Sequence, residues 1–203
     1  MTYQDALHSI LKSYTDGDIA YNTKLLSLGF LSVLELTPMD YETMSEVLQR
    51  EEIGIRSVVR NYIKRGLVEV VDLRPSTQGG RRCNQYGVTR AGVALLHGYQ
   101  RVQRTSSRTR RSEAYQELRD EHPDRTFSSI ALLSAIHLTD GRASSLTTAM
   151  NINAPALMQQ TARALEAGLV QVASHAPSPE GGRERVIAST PHGDRLMYIM
   201  MQL

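Results

Sequence analysis

The chain has 203 residues, 41% hydrophobic and 22% charged, with 23 Lys or Arg against 21 Asp or Glu. That length and composition suit two modest globular domains, and the net charge of +2 says little until its distribution is read. No apolar run reaches the roughly 20 residues of a membrane span. Met1-Thr2-Tyr3-Gln4-Asp5 is no signal-peptide start, and the single cysteine, Cys83, excludes an internal disulfide and a cysteine-based zinc site. The expected location is the cytoplasm, with no membrane partner.

In chain order, Thr2 to Tyr14 is amphipathic, with Leu7, Ile10, Leu11 and Tyr14 on one face. A buried helix is expected from about Ile19 to Leu36, ended by Thr37-Pro38, because proline disfavours a helical residue before it. Asp40 caps a short helix with Met44, Val47 and Leu48 inward. A turn through Glu51 to Gly54 leads into Ile55 to Arg65. There Ile55, Val59, Tyr62 and Ile63 form the inner face, and Arg56, Arg60 and Lys64 recur every four residues on another. Gly66 is placed as a left-handed helix stop. Leu67 to Leu73 and Gln85 to Val88 read as strands around the turn cluster Pro75 to Gly80. Thr89 caps a last helix carrying Val93, Leu95, Leu96 and Tyr99.

The same order then recurs. Leu31-Ser32-Val33-Leu34-Glu35-Leu36-Thr37 aligns with Leu133-Ser134-Ala135-Ile136-His137-Leu138-Thr139 at an offset of 102 residues. That offset also superposes Gly66-Leu67-Val68 on Gly168-Leu169-Val170 and Gly79-Gly80-Arg81 on Gly181-Gly182-Arg183. A period of this size is a domain, not a solenoid repeat. In the second copy Phe127 to Leu138 is the first helix, Ser144 or Ser145 caps a second, and Asn153 caps a third with Pro155 early in it. Leu169 to Ser174 and Val186 to Ser189 flank a Gly-rich hairpin, and Thr190 starts the final helix. Ser112 to Glu121 is expected to be a connecting helix.

Glycine-Leu-Val after the third helix, a basic Gly-rich hairpin, and Tyr86-Gly87-Val88-Thr89-Arg90-Ala91-Gly92-Val93-Ala94-Leu95-Leu96 together resemble the winged helix-turn-helix of MarR-type bacterial regulators. Ala164-Leu165-Glu166-Ala167-Gly168-Leu169-Val170 and Thr190-Pro191-His192-Gly193-Asp194-Arg195-Leu196 resemble the same segments again. The resemblance covers about residues 20–100 and 126–203. It implies a mainly α fold with small β-hairpin wings: two tandem winged helix-turn-helix domains, 16–100 and 126–203, joined by a basic, helical linker over 101–125. MarR-type regulators usually carry one copy per subunit of a homodimer, so two copies in one chain depart from that pattern. The helix within 1–15, whose apolar face has no assigned place in either copy, is the candidate for a homodimer contact.

By that resemblance the third helix enters the major groove and the wing reaches the backbone or minor groove. Arg56, Ser57, Arg60, Asn61 and Lys64 are then the outward residues of a recognition helix. Arg and Asn read guanine and adenine edges, and Lys suits phosphate. Arg81 and Arg82 sit at the first wing tip. Between Ile53 and Arg82 seven cations face two acids, and five arginines without an acid fill 101–111, the footprint of a polyanion site. That arginine run is read either as a linker lying along phosphates or as a solvated hinge. The second copy offers Gln159, Gln160, Arg163, Arg183 and Arg185, offset by Glu180 and Glu184. Its Met197, Met200 and Met201 are read as core filling or as a partner contact.

Enzyme motifs such as GxGxxG, a P-loop, HExxH and GxSxG are absent. The six histidines show no ligand spacing on any one helix, and His137 reads as a core-edge residue. Cys83 in the hairpin is taken as incidental. The sequence therefore predicts a non-enzymatic, sequence-preferring binder of double-stranded DNA, located with the nucleoid and needing no cofactor. Its leading role is a transcriptional regulator; its effector is unspecified. A plasmid replication initiator and a winged-helix interaction scaffold are the alternatives.

Overall fold

A computed structural model describes residues 2–75, 82–100, 107–178 and 181–203; at 74, 75, 82 and 97–100 it describes the backbone only. Seven elements occur in the same order twice. The first set is α1 (Tyr3–Thr15), α2 (Leu25–Glu35), α3 (Tyr41–Leu48), α4 (Glu52–Lys64), β1 (Val68–Pro75), β2 (Arg82–Val88) and α5 (Arg90–Gln100). The second is α6 (Arg108–Glu121), α7 (Phe127–Leu138), α8 (Ala143–Met150), α9 (Ala154–Glu166), β3 (Val170–Pro177), β4 (Arg183–Ser189) and α10 (Pro191–Gln202). The protein is thus mainly helical with two small antiparallel hairpins.

The repeat extends to single backbone angles. Gln49 and Asn151, 102 positions apart, are the described non-glycine residues with positive φ, at 49° and 51°, and each ends the short helix before the α3–α4 or α8–α9 turn. Gly66 and Gly168 end the next helices at 69° and 67°, a conformation that disfavours a side chain. Thr89 and Thr190 each donate a hydroxyl hydrogen bond of 2.6 Å to those glycine carbonyls and cap the following helix. Gly92 and Gly193 let that helix approach closely: a Cβ there would lie 2.4 and 2.2 Å from the carbonyl oxygens of Leu67 and Leu169. Both hairpins slip register at equivalent points, between Val70 and Asp72 and between Val172 and Ser174. Each is joined by one residue ahead of its short helix, Met39 bridging Tyr86 and Arg142 bridging Val186.

The first helices are exchanged between the repeats. α1 packs on α7, α8 and α5, whereas α6 packs on α2, α3 and α10. These contacts map onto one another under a pseudo-two-fold axis that relates the two halves. Ala6, Leu7 and Ile10 of α1 are each 1% exposed, and Tyr115 and Leu118 of α6 are equally sealed. Gly29 on α2 is where Tyr115 comes close, its ring carbon 3.2 Å from the Cβ that any other residue would carry. One hydrophobic cluster runs through both repeats, so removing either first helix would uncover the core of the other half.

Several expectations change. The apolar face of α1 is buried within the chain, so it is not available to a second copy. The helix expected from Ile19 begins at Leu25, and the segment before it instead makes a bridge between Lys24 and Thr126. The turn placed at Glu51 to Gly54 falls at Gln49 to Glu51, leaving Gly54 inside α4. Neither Ser144 nor Ser145 is the α8 cap. Arg142 holds that position, and the carboxylate of Glu184 accepts from the Ser144 N–H at 3.0 Å. Met197 and Met200 are fully buried, which assigns them to the core. Arg111, expected in a solvated or phosphate-lying run, is 3% exposed. It donates to the Ser32 carbonyl at 2.8 Å and meets the Glu35 carboxylate at 3.1 Å.

Candidate nucleic-acid interface

The α4 helix starts at Glu52, three residues after the left-handed Gln49. Ile55, Val59 and Tyr62 are its buried stripe. Because 3.6 residues make a turn, the opposite stripe consists of Arg56, Ser57, Arg60, Asn61 and Lys64, all exposed. Together with Ile53 they line an open concavity of about 560 Å³. The expected recognition residues are therefore brought together on one helix face. Arg60 and Lys64 have no acidic partner among the described residues. Arg56 differs. It forms a salt bridge with Glu52 one turn earlier, and its guanidinium sits 4.9 Å over the Tyr41 ring. Tyr41 in turn stacks on Tyr86 at 4.7 Å. Burial and a hydrogen bond with Tyr86 push the Tyr41 phenol up to about 12, so it stays neutral. An anion approaching Arg56 must compete with Glu52.

The turn that leads into α4 is held by α6. Ser112 donates to the Val47 carbonyl, and Gln116 reaches the same oxygen at 3.3 Å. Arg119 donates to the carbonyls of Leu48 and Gln49 at 3.3 and 2.9 Å. These are the carbonyls that the end of α3 leaves without helical partners. Arg50, between α3 and α4, donates to the Tyr115 hydroxyl at 3.2 Å. Polar residues of the expected linker thus clamp the turn that aims α4.

At the same offset, α9 carries Met158, Gln159, Ala162, Arg163 and Glu166 where α4 carries Arg56, Ser57, Arg60, Asn61 and Lys64. Each of the three cations on the first face has lost its charge or reversed it. Gln159 and Arg163 are exposed, as are Arg183 and Arg185 on β4. Gln160 is not part of this face. It corresponds to Val58, is half-buried, and donates to the Tyr14 hydroxyl of α1 at 2.7 Å. Adjacent helical residues point about 100° apart, so Gln159 and Gln160 do not share a face. Met158 on the same face is 70% exposed.

Arg81 lies outside the described residues, as do 101–106 and Glu180, and at Arg82 only the backbone is described. Cys83 is a half-buried free thiol. His137 sits at the core edge as expected, its Nε2 3.1 Å from the Asp194 carboxylate and its ring edge-on to Tyr3. Sequence spacing gave no sign of another contact: His122 and His192, 70 positions apart, stack with ring centroids 4.6 Å apart. No described helix is long and apolar enough to cross a membrane. Compared with known proteins, the chain matches no family model, and no curated protein matches its sequence.

Proposed function

We propose that each repeat is a winged helix-turn-helix and that the chain is a covalent pseudo-dimer that binds double-stranded DNA, acting as a transcriptional regulator. The observation that carries this reading is the exposed face of α4. Five side chains suited to bases and phosphates project from one helix beside a hairpin, on a turn clamped by α6. Arg60 and Asn61 are the base-reading candidates, and Lys64 is suited to phosphate. Arg56 is shared with Glu52, which lowers its availability to DNA. The second repeat is a weaker contributor through Gln159, Arg163, Arg183 and Arg185.

The α9 face also supports a second use of that repeat. Alanine and glutamate at two of the cation positions remove phosphate-binding charge, and the exposed Met158 at the third suits a protein contact. In this variant of the reading, α4 holds the duplex while α9 is free for a partner protein.

The test is binding of the full chain to a mixed duplex library across a salt series. Affinity should fall steeply with salt, because phosphate contacts release counterions. Arg60→Ala with Lys64→Ala should weaken binding at least about ten-fold. Absence of binding at low salt, or affinity unchanged in that double variant, overturns the proposal.

A further inference from the structure

His122 ends α6, and His192 lies in the first turn of α10. The ring of His122 is 1% exposed, and its Nε2 is shielded from solvent without a hydrogen-bond partner. A buried polar nitrogen with no partner is uncommon in a folded protein and calls for an explanation. Around it stand one other imidazole and one carboxylate: the donor atoms of Glu121, His122 and His192 all lie within 4.8 Å of one another, and His122 Nε2 is 4.0 Å from the nearer Glu121 oxygen. We infer that these three residues bind one divalent transition-metal ion of the zinc class, with a fourth position left to water.

The donor set suits that class. Two imidazoles and one carboxylate match zinc, cobalt or nickel, whereas calcium and magnesium prefer oxygen alone. Metal–ligand bonds of about 2.0–2.2 Å require donor atoms somewhat closer than they stand here. The adjustment falls on the two exposed members, Glu121 and His192, while the buried ring of His122 stays fixed. The repeat frame does not require this cluster. Ala91 occupies the position of His192, and Asp16-Gly17-Asp18 follows α1 where His122 follows α6. The ion would join the end of the clamp helix α6 to the start of α10.

This inference stands independently of DNA binding. The full chain, without a histidine tag and freed of metal by a chelator, is titrated with cobalt(II). One equivalent should produce a visible d–d absorption band that zinc(II) abolishes. Loss of an outer-shell partner alone typically costs about 10–100-fold in metal affinity, so His192→Ala should weaken cobalt binding at least about ten-fold. Because His192 is exposed, that variant should keep the far-ultraviolet circular dichroism of the parent. His175→Ala, an exposed histidine on β3, should leave binding unchanged. Glu121→Gln should weaken it by a smaller factor. Absence of a stoichiometric band overturns the inference. So does a band unaffected by His192→Ala, or one weakened equally by His175→Ala.

Discussion

Leu25 and Phe127 are each held by the other's approach strand: the Leu25 N–H donates to the Arg125 carbonyl at 3.0 Å, and the Phe127 N–H to the Thr23 carbonyl at 2.8 Å. The donors are 102 residues apart, and so are the acceptors. Lys24 and Thr126 lie between them as an antiparallel bridge, which puts the pseudo-two-fold axis through this pair. Lys24 also reaches Asp124 at 2.7 Å. The two repeats therefore meet through main-chain hydrogen bonds as well as through exchanged helices.

A single cooperative unfolding transition follows from that exchange. Leu7 is buried on α1, which packs mainly on α7 of the second half although it belongs to the first. Leu7→Ala should cost about 2–5 kcal/mol and should lower amide protection in α7 as much as in α1. Hydrogen exchange followed by mass spectrometry measures this. A fragment of residues 16–100, lacking the α6 cover of α2, should not fold alone; a sharp melting transition in that fragment would contradict the shared core.

Rewriting the α9 face should convert it toward the α4 face. Ala162→Arg with Glu166→Lys supplies two of the three missing cations, at the positions of Arg60 and Lys64. On the proposed function, duplex affinity at moderate salt should rise. The salt slope should steepen by about 0.9 for each new phosphate contact. Fluorescence anisotropy over a salt series reads both. An unchanged slope would remove the second repeat from the DNA-facing surface.

Arg111 is structural. Its side chain is 4% exposed and Glu35 is 22% exposed. Removing one member of such a pair takes away the opposite charge that balances the other, at a cost of about 3–5 kcal/mol. Arg111→Ala should therefore lower the melting temperature sharply. Arg111→Met combined with Glu35→Gln should be milder than Arg111→Ala, because both charges of the pair are then removed together. Thermal denaturation of the three variants decides the matter.

Asp40 should contribute to acid sensitivity. Burial raises its carboxyl, but hydrogen bonds from Thr43 and the Gln85 amide outweigh this and hold it below the ordinary value. A depressed folded-state value means stability that is present above the unfolded value, about 3.9, and lost as pH falls through the folded one. Asp40→Asn keeps a good cap and should flatten the fall in urea midpoint below about pH 4. Asp5, Asp120, Asp124 and Asp140 are also lowered, so some slope should remain.

Order and type of the elements were legible because local signals agreed with the fold. Asp40, Thr89, Asn153 and Thr190 cap where their chemistry suggests, and Gly66 and Gly168 stop helices where a positive φ is needed. The α4 face was legible because a single period sorts buried Ile55, Val59 and Tyr62 from exposed Arg56, Arg60 and Lys64. The exchange of α1 and α6 was not. Those helices share little sequence, and α6 buries Arg111 and Ser112, which look like surface residues until Ser32, Glu35 and the Val47 carbonyl are seen to receive them. His122 and His192 meet only through tertiary packing, so no spacing rule finds them. Gln160 has the polarity of a surface residue, and only its register with Val58 marks it as half-buried.

The unequal faces of α4 and α9 have a genetic consequence. In a homodimer one codon specifies a residue on both faces, so a change that helps one half alters the other as well. Here Lys64 and Glu166 have separate codons on one folded frame, and each can change alone. On the proposed function, a duplex held by such a chain would be read with a direction: turned end for end, the same DNA would present its preferred half to the wrong helix.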